Sequence, residues 1–202
     1  MKVGIVNYGM GNVFSVENTL TYLGVDNILC SQPEELYQVD KIILPGVGAF
    51  KDCMNALHTK NFYKALNDNV LVKKKEILGI CLGMQIMATT GFEGEETKGL
   101  GWIQGEVVKM HSLVQKTPNI GWEEIEYNST SKLYKAMPKT LEFYFIHSYA
   151  MQCTKDYMVT GSYAFDDQYI TASIEHENIY GTQYHPEKSS DLGKDILLNF
   201  ID

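Results

Sequence analysis

Glu76-Ile77-Leu78-Gly79-Ile80-Cys81-Leu82-Gly83-Met84-Gln85 is the stretch on which the fold reading turns. An apolar run of strand length ends on a cysteine, with a glycine two residues before it and another two after. A helix start is expected from Met84 to Thr89. Gly-x-Cys-x-Gly between a strand and a helix is a sharp turn that carries its side chain at the tip, and the small flanking residues are needed because the backbone folds tightly on itself. Turns of this kind sit at the carboxyl ends of strands in open α/β sheets, where ligands bind.

The surroundings agree. Residues 2–7, 27–31 and 41–44 are continuous apolar runs, as parallel strands buried on both faces should be. The first ends in Tyr8-Gly9-Met10-Gly11-Asn12; Val13, Val16, Leu20 and Leu23 then mark one face of a helix that Gly24 closes. The third is expected to stop at Pro45 and turn through Gly46-Val47-Gly48. Phe50, Met54 and Leu57 suggest a helix after it, and Phe62, Leu66 and Val70 another. Residues 101–111, 120–127, 141–149, 157–163, 169–175 and 179–184 read as β-branched and aromatic strands joined by short turns, which favours antiparallel pairing. Leu192, Ile196 and Phe200 mark a final helix. Strand–helix alternation implies right-handed crossovers with helices on both faces. The expectation is one α/β domain over residues 1–202, a three-layer sandwich with a mostly parallel central sheet and antiparallel additions.

The 202 residues are 45% hydrophobic and 21% charged, which suits a globular chain with its own core. A formal net charge of −8 repels phosphate backbones and argues against nucleic-acid binding. No apolar stretch approaches the roughly 18 residues of a membrane span, and the N-terminal run is too short for a signal peptide. Cys30, Cys53, Cys81 and Cys153 form no Cys-x-x-Cys pair, so reduced thiols in a cytoplasm are expected, with no metal and no cofactor.

Cys81 is the candidate nucleophile. The helix after it is expected to aim amide dipoles at the sulfur and favour the thiolate. Among five histidines, His185 is the candidate base: it ends a strand, Pro186 blocks further pairing, and Glu187 can orient the imidazole from two residues on. The amide of Leu82 and the Gly46-Val47-Gly48 loop can supply an oxyanion hole at Val47 and Gly48, because glycines permit unusual dihedrals.

Taken together, Gly79 to Gln85 and His185-Pro186-Glu187 resemble the class I (triad) glutamine amidotransferases. Within that superfamily, the turn from Tyr8 to Asn12, Pro45 to Phe50, Ile120-Gly121-Trp122, Phe143 to Tyr149 and His185 to Ser189 resemble the glutaminase subunits of imidazole glycerol phosphate synthases. The resemblance implies that Cys81, His185 and Glu187 hydrolyse glutamine. It implies that Gly46, Gln85, Glu93, His147, Ser148 and Tyr149 hold the substrate. It further implies that ammonia passes to a (β/α)8-barrel synthase partner in a 1:1 heterodimer, with Asn12, Trp122, Tyr144 and Lys188 near the interface or passage.

Some positions depart from the family pattern. Asn119 stands where His is usual, Glu123 where Asn is usual, Ser190 where Gln is usual and Phe14 where Arg is common. These are expected mostly toward the partner face, and they leave open a paralogous glutaminase that feeds amidino-group formation on a surface sugar. A Cys-elbow chaperone or deglycase is the reading outside the amidotransferases.

Overall fold

A computed structural model describes residues 1–111 and 117–202. In chain order the first half contains β1 (Val3–Val6), α1 (Val13–Tyr22), β2 (Asn27–Cys30), β3 (Lys41–Gly46), α2 (Phe50–Thr59), α3 (Phe62–Asn67), β4 (Ile77–Cys81) and α4 (Leu82–Gln85). The second half contains β5 (Ala88–Gly91), β6 (Thr97–Lys98), β7 (Ile103–Lys109), β8 (Asn119–Tyr127), β9 (Leu141–His147), β10 (Tyr149–Cys153), β11 (Val159–Phe165), β12 (Gln168–His176), β13 (Ile179–Thr182) and α5 (Ser190–Ile201).

Nine strands form the central sheet, in the order β2-β1-β3-β4-β13-β12-β11-β8-β9. The first five run parallel, and every ladder beyond β13 is antiparallel. All residues of β1, β3 and β4 are buried, because apolar layers cover both faces. On one face Val3, Ile5, Ile43 and Leu78 pack with Val16 and Leu20 of α1 and Ile196 and Phe200 of α5. On the other, Val6, Ile42, Leu44 and Ile77 pack with Met54 and Leu57 of α2 and Phe62 and Leu66 of α3. This is the three-layer α/β arrangement expected.

Three local expectations need correction. Pro45 does not stop its strand: β3 continues through Pro45, paired with Ile80, to Gly46, paired with Cys81. It is tolerated because the β1 ladder on the other side has its last pair at Ile5 and Ile43, so the missing N–H leaves no partner unsatisfied there. The helix expected from Met84 to Thr89 is a single turn, and Ala88 already belongs to a strand. Finally, residues 141–149 are not one strand. The chain breaks at Ser148; β9 closes the central sheet, and β10 joins a separate four-stranded sheet of order β10-β7-β5-β6. That break opens the wall of the site described next.

Candidate active site

The β4–α4 turn is built on three glycines. Cys81 has φ 56° and ψ −114°, a strained conformation for a residue with a side chain. A Cβ on Gly83 would lie 1.8 Å from the Leu44 carbonyl oxygen, one on Gly46 would lie 2.6 Å from the Gly83 nitrogen, and one on Gly79 would lie 2.7 Å from the Gly83 oxygen. β3, β4 and α4 therefore meet backbone to backbone, and the sulfur is left at the tip. The brevity of α4 limits the dipole expected behind the sulfur to a few amides of one turn.

The sulfur faces a cavity of about 340 Å³ lined by Val47, Gly48, Leu82, Gln85, Glu93 and His185, among others. His147, Ser148, Tyr149 and Lys188 line it too, as does Pro118, which the sequence reading did not single out. A larger cavity of about 520 Å³ lies against β7, β10 and β12 and contains none of the triad candidates.

His185 is held from three sides. Its amide donates to the Tyr144 carbonyl at 3.0 Å, and its own carbonyl accepts from the Ser189 hydroxyl at 2.7 Å. The imidazole Nδ1 lies 2.9 Å from Oε1 of Glu187, whose side chain is 1% exposed. A carboxylate can only accept, so Nδ1 carries the proton and donates, which turns Nε2 to the thiol. Burial opposes charge on His185, but its hydrogen bonds to Cys81 and Glu187 outweigh that and push its pKa up to about 9. The site thus favours the protonated imidazole at His185.

These positions follow the order of a known family. The family model described as "Glutamine amidotransferase class-I" matches residues 5–202. The chain belongs to the class I glutamine amidotransferases. It is 42% identical over 200 residues to "Imidazole glycerol phosphate synthase subunit HisH 1" of Campylobacter jejuni, covering 98% of each chain. It is 39% identical to the HisH subunit of Pelagibacter ubique, covering 100% of this chain and 99% of that one. Among solved structures, PurLQS from Thermotoga maritima superposes with a TM-score of 0.77 at 18% identity, covering 99% and 97% of the two chains. As an amidotransferase subunit that hydrolyses glutamine, the chain needs a pocket for that substrate next to its thiol.

The remaining candidates of this amidotransferase divide into three groups. Glu93 belongs to the pocket: one carboxylate oxygen accepts from the Phe50 amide at 2.8 Å, at the start of α2. Gln85 is tied into the wall, since its amide nitrogen donates to the Tyr149 carbonyl at 2.8 Å and to Oε1 of Gln183 at 2.9 Å. His147 also binds the Tyr149 carbonyl, through Nδ1 at 2.8 Å, and its Nε2 meets the Tyr163 hydroxyl at 3.0 Å. Burial, eased by the Tyr149 bond and reinforced by the charge of His185, pushes its pKa down to about 4, so this imidazole is neutral. Its Nδ1–H donates, and Nε2 accepts from Tyr163.

Trp122 and Tyr144 lie on the outer face of the β8–β9 edge, not in the core that aromatic residues favour by default. They are cross-strand partners with ring centroids 6.1 Å apart, and Trp122 is 45% exposed. Ile120 and Ile146, the next pair along the same face, are exposed as well. Lys188 is exposed at the cavity mouth. Asn12 does not line the cavity; it follows Gly11, which packs against Pro45.

Asn119 was expected on the partner face and is instead buried, donating to the Tyr163 hydroxyl at 3.2 Å. Its register partner is His147, so it faces inward, whereas Ile120 beside it faces out. The departure from the family pattern therefore touches the backing of the cavity beside Cys81. Gln183 was missed altogether. The available signal was its spacing: in an extended segment, Gln183 and His185 share a face.

Proposed function

We propose that this chain releases ammonia from glutamine through Cys81, His185 and Glu187. We further propose that it delivers the ammonia to a (β/α)8-barrel synthase partner that makes imidazole glycerol phosphate in histidine biosynthesis. The observation that carries the reading is the buried Nδ1–Oε1 pair of His185 and Glu187, set beside a cysteine on a positive-φ turn. Relatives named as HisH subunits, about 40% identical over nearly the whole chain, support the pathway.

In the proposed reaction, the thiol proton moves from Sγ to Nε2 of His185. The thiolate then attacks the side-chain amide carbon. Negative charge collects on the amide oxygen, where the N–H groups of the Val47–Gly48 loop and of Leu82 meet it. The carbon–nitrogen bond breaks as His185 returns its proton to the leaving nitrogen, giving ammonia and a thioester. His185 next deprotonates water, which attacks the thioester and frees glutamate and the thiol. Glu187 keeps the imidazole turned throughout. The Glu93 oxygen not used by Phe50 pairs with the substrate ammonium. Gln85, whose nitrogen is occupied by the wall, offers its carbonyl oxygen. Gly46, Ser148 and Tyr149 complete the pocket.

The face formed by the exposed Ile120, Trp122 and Ile146 and the half-buried Tyr144 suits the partner, because Ile146 also lines the cavity and brings docking next to the nucleophile. Lys188, at the cavity mouth, and Asn12 belong to the same proposed interface or ammonia passage. We take residues 1–202 as one amidotransferase domain, supported by the continuous match from 5 to 202, in a 1:1 complex. A cytoplasmic location is supported by four unpaired cysteines; no helix among the described residues is long and apolar enough to cross a membrane.

The test is glutamate release by the chain alone, then with the barrel synthase, then with the synthase's ligand added. Low activity alone and stepwise activation are expected. A chain that is fully active alone and indifferent to both additions refutes the partnership. Activation only by a synthase that builds amidino groups moves the chain to the paralogous pathway.

A further inference from the structure

Gln183 follows the last residue of β13 and is fully buried. Its amide nitrogen Nε2 points at Sγ of Cys81, 3.7 Å away, and its Oε1 accepts from Nε2 of Gln85 at 2.9 Å. No role in the reaction above uses it.

Amide groups are two-sided, and what fixes this one is the neighbouring glutamine. Gln85 donates from one nitrogen to two carbonyl oxygens, that of Tyr149 and that of Gln183. If Gln183 were turned over, its NH₂ would confront the NH₂ of Gln85, and two donors would be left face to face in a buried place. The β10 backbone therefore dictates the orientation of Gln85, and Gln85 dictates that Gln183 presents N–H to the sulfur. The Gln183 backbone is fixed too, its amide donating to the Ala172 carbonyl at 2.8 Å.

We propose that Gln183 is a positioning residue for the nucleophile: its side-chain N–H, aimed by Gln85, holds the Cys81 sulfur at its place against His185 and favours the thiolate over the thiol. This deepens the reading of Cys81 as nucleophile and rests on it. A hydrogen bond to the charged form of a group favours that form. His185 alone provides a positive partner on one side of the sulfur; Gln183 supplies a donor with no proton to lose, so its contribution does not vary as His185 titrates. The other ionisable groups around the sulfur are Glu187 behind His185, the neutral His147 on β9, Glu93 and Lys188 at the mouth, and the uncharged Tyr8 and Cys53 behind. None of these replaces a neutral donor at the sulfur.

The test reads the thiolate directly. Alkylation of Cys81 by iodoacetamide is followed against pH in the full chain, with the labelled peptide identified by mass so that Cys30, Cys53 and Cys153 are excluded. Gln183→Met keeps the bulk and removes the donor; the midpoint of the rate profile is expected to rise by about one pH unit, a roughly tenfold smaller thiolate-to-thiol ratio. Gln183→Glu keeps an acceptor for Gln85 but turns an oxygen toward the sulfur, and the midpoint is expected to rise further. A purely structural role lowers the melting temperature without moving the midpoint. If either folded variant keeps the wild-type midpoint, the proposal is overturned. Failure of the underlying reading looks different: the wild-type chain, with its synthase partner, then neither hydrolyses glutamine nor shows selective labelling at Cys81.

Discussion

Gly83→Ala tests whether close backbone approach is what builds the site. The added Cβ would stand 1.8 Å from the Leu44 oxygen, whereas ordinary contact begins near 3.4 Å, so β3 and α4 must separate by about 1.6 Å. Neither side can yield cheaply. Leu44 pairs with Gly79 in the middle of the parallel sheet, and α4 is hinged directly on Cys81. Overpacking of a rigid core costs about 1–3 kcal/mol, and a backbone clash belongs at the upper end. At 2–4 °C per kcal/mol for a chain of this size, the melting temperature should fall by about 6–12 °C. The same separation moves Leu82 and Cys81 away from the Val47–Gly48 loop, and a misplacement of about 1 Å costs roughly 10² in rate. Thermal unfolding and partner-activated glutamate release measure the two effects. Gly121→Ala is the stability control, because nothing lies within 4 Å of a Cβ there. If Gly83→Ala melts with the control and retains wild-type kcat, the elbow does not depend on this contact and the geometric argument fails.

Glu187→Gln should slow glutamine hydrolysis by about 10³–10⁴-fold yet leave more activity than Cys81→Ala, because only the orientation of the imidazole is lost; equal loss in the two variants contradicts the assignment. His147, pushed down to about 4 from the ordinary 6.5, makes stability depend on acid: the unfolded chain takes up its proton first as pH falls. This contribution is fully present above pH 6.5 and is lost progressively toward pH 4, about 3 kcal/mol in all, and urea unfolding of His147→Gln at pH 7.5 and 4.5 should lack that slope. Trp122→Ala should weaken binding to the synthase by about 30-fold, as expected for about 2 kcal/mol from a buried aromatic anchor, with the melting temperature unchanged. A calorimetric titration that finds equal affinity places the docking face elsewhere.

Much of this architecture is legible from local patterns. The continuous apolar runs of β1, β3 and β4 report burial on both faces, and Gly79 and Gly83 report the turn that carries Cys81 at its tip. What escaped is set by distant partners. Ala88-Thr89 reads as part of the helix expected from Met84 until β7 is found beside it. The break at Ser148 is invisible because both segments have strand composition, and only pairing with β8 or with β7 separates them. Asn119 looked like a surface departure because register is not written in one strand; its pairing with His147 turns it inward. Gln183 carries no motif of its own, and its role depends on Gln85, 98 positions earlier.

β13 occupies the middle of the central sheet although it is the last strand to be made. It fills the gap between β4, which ends on Cys81, and β12, so among the described strands no backbone ladder joins the parallel and antiparallel halves until it enters. A chain emerging from the ribosome therefore carries Cys81 for about a hundred residues of synthesis before His185 exists beside it. Long-range parallel pairing is slow to form. Insertion of this one strand completes the sheet and brings His185 to Cys81 in the same event, so on the proposed mechanism a truncated copy carries the nucleophile without its base and hydrolyses no glutamine.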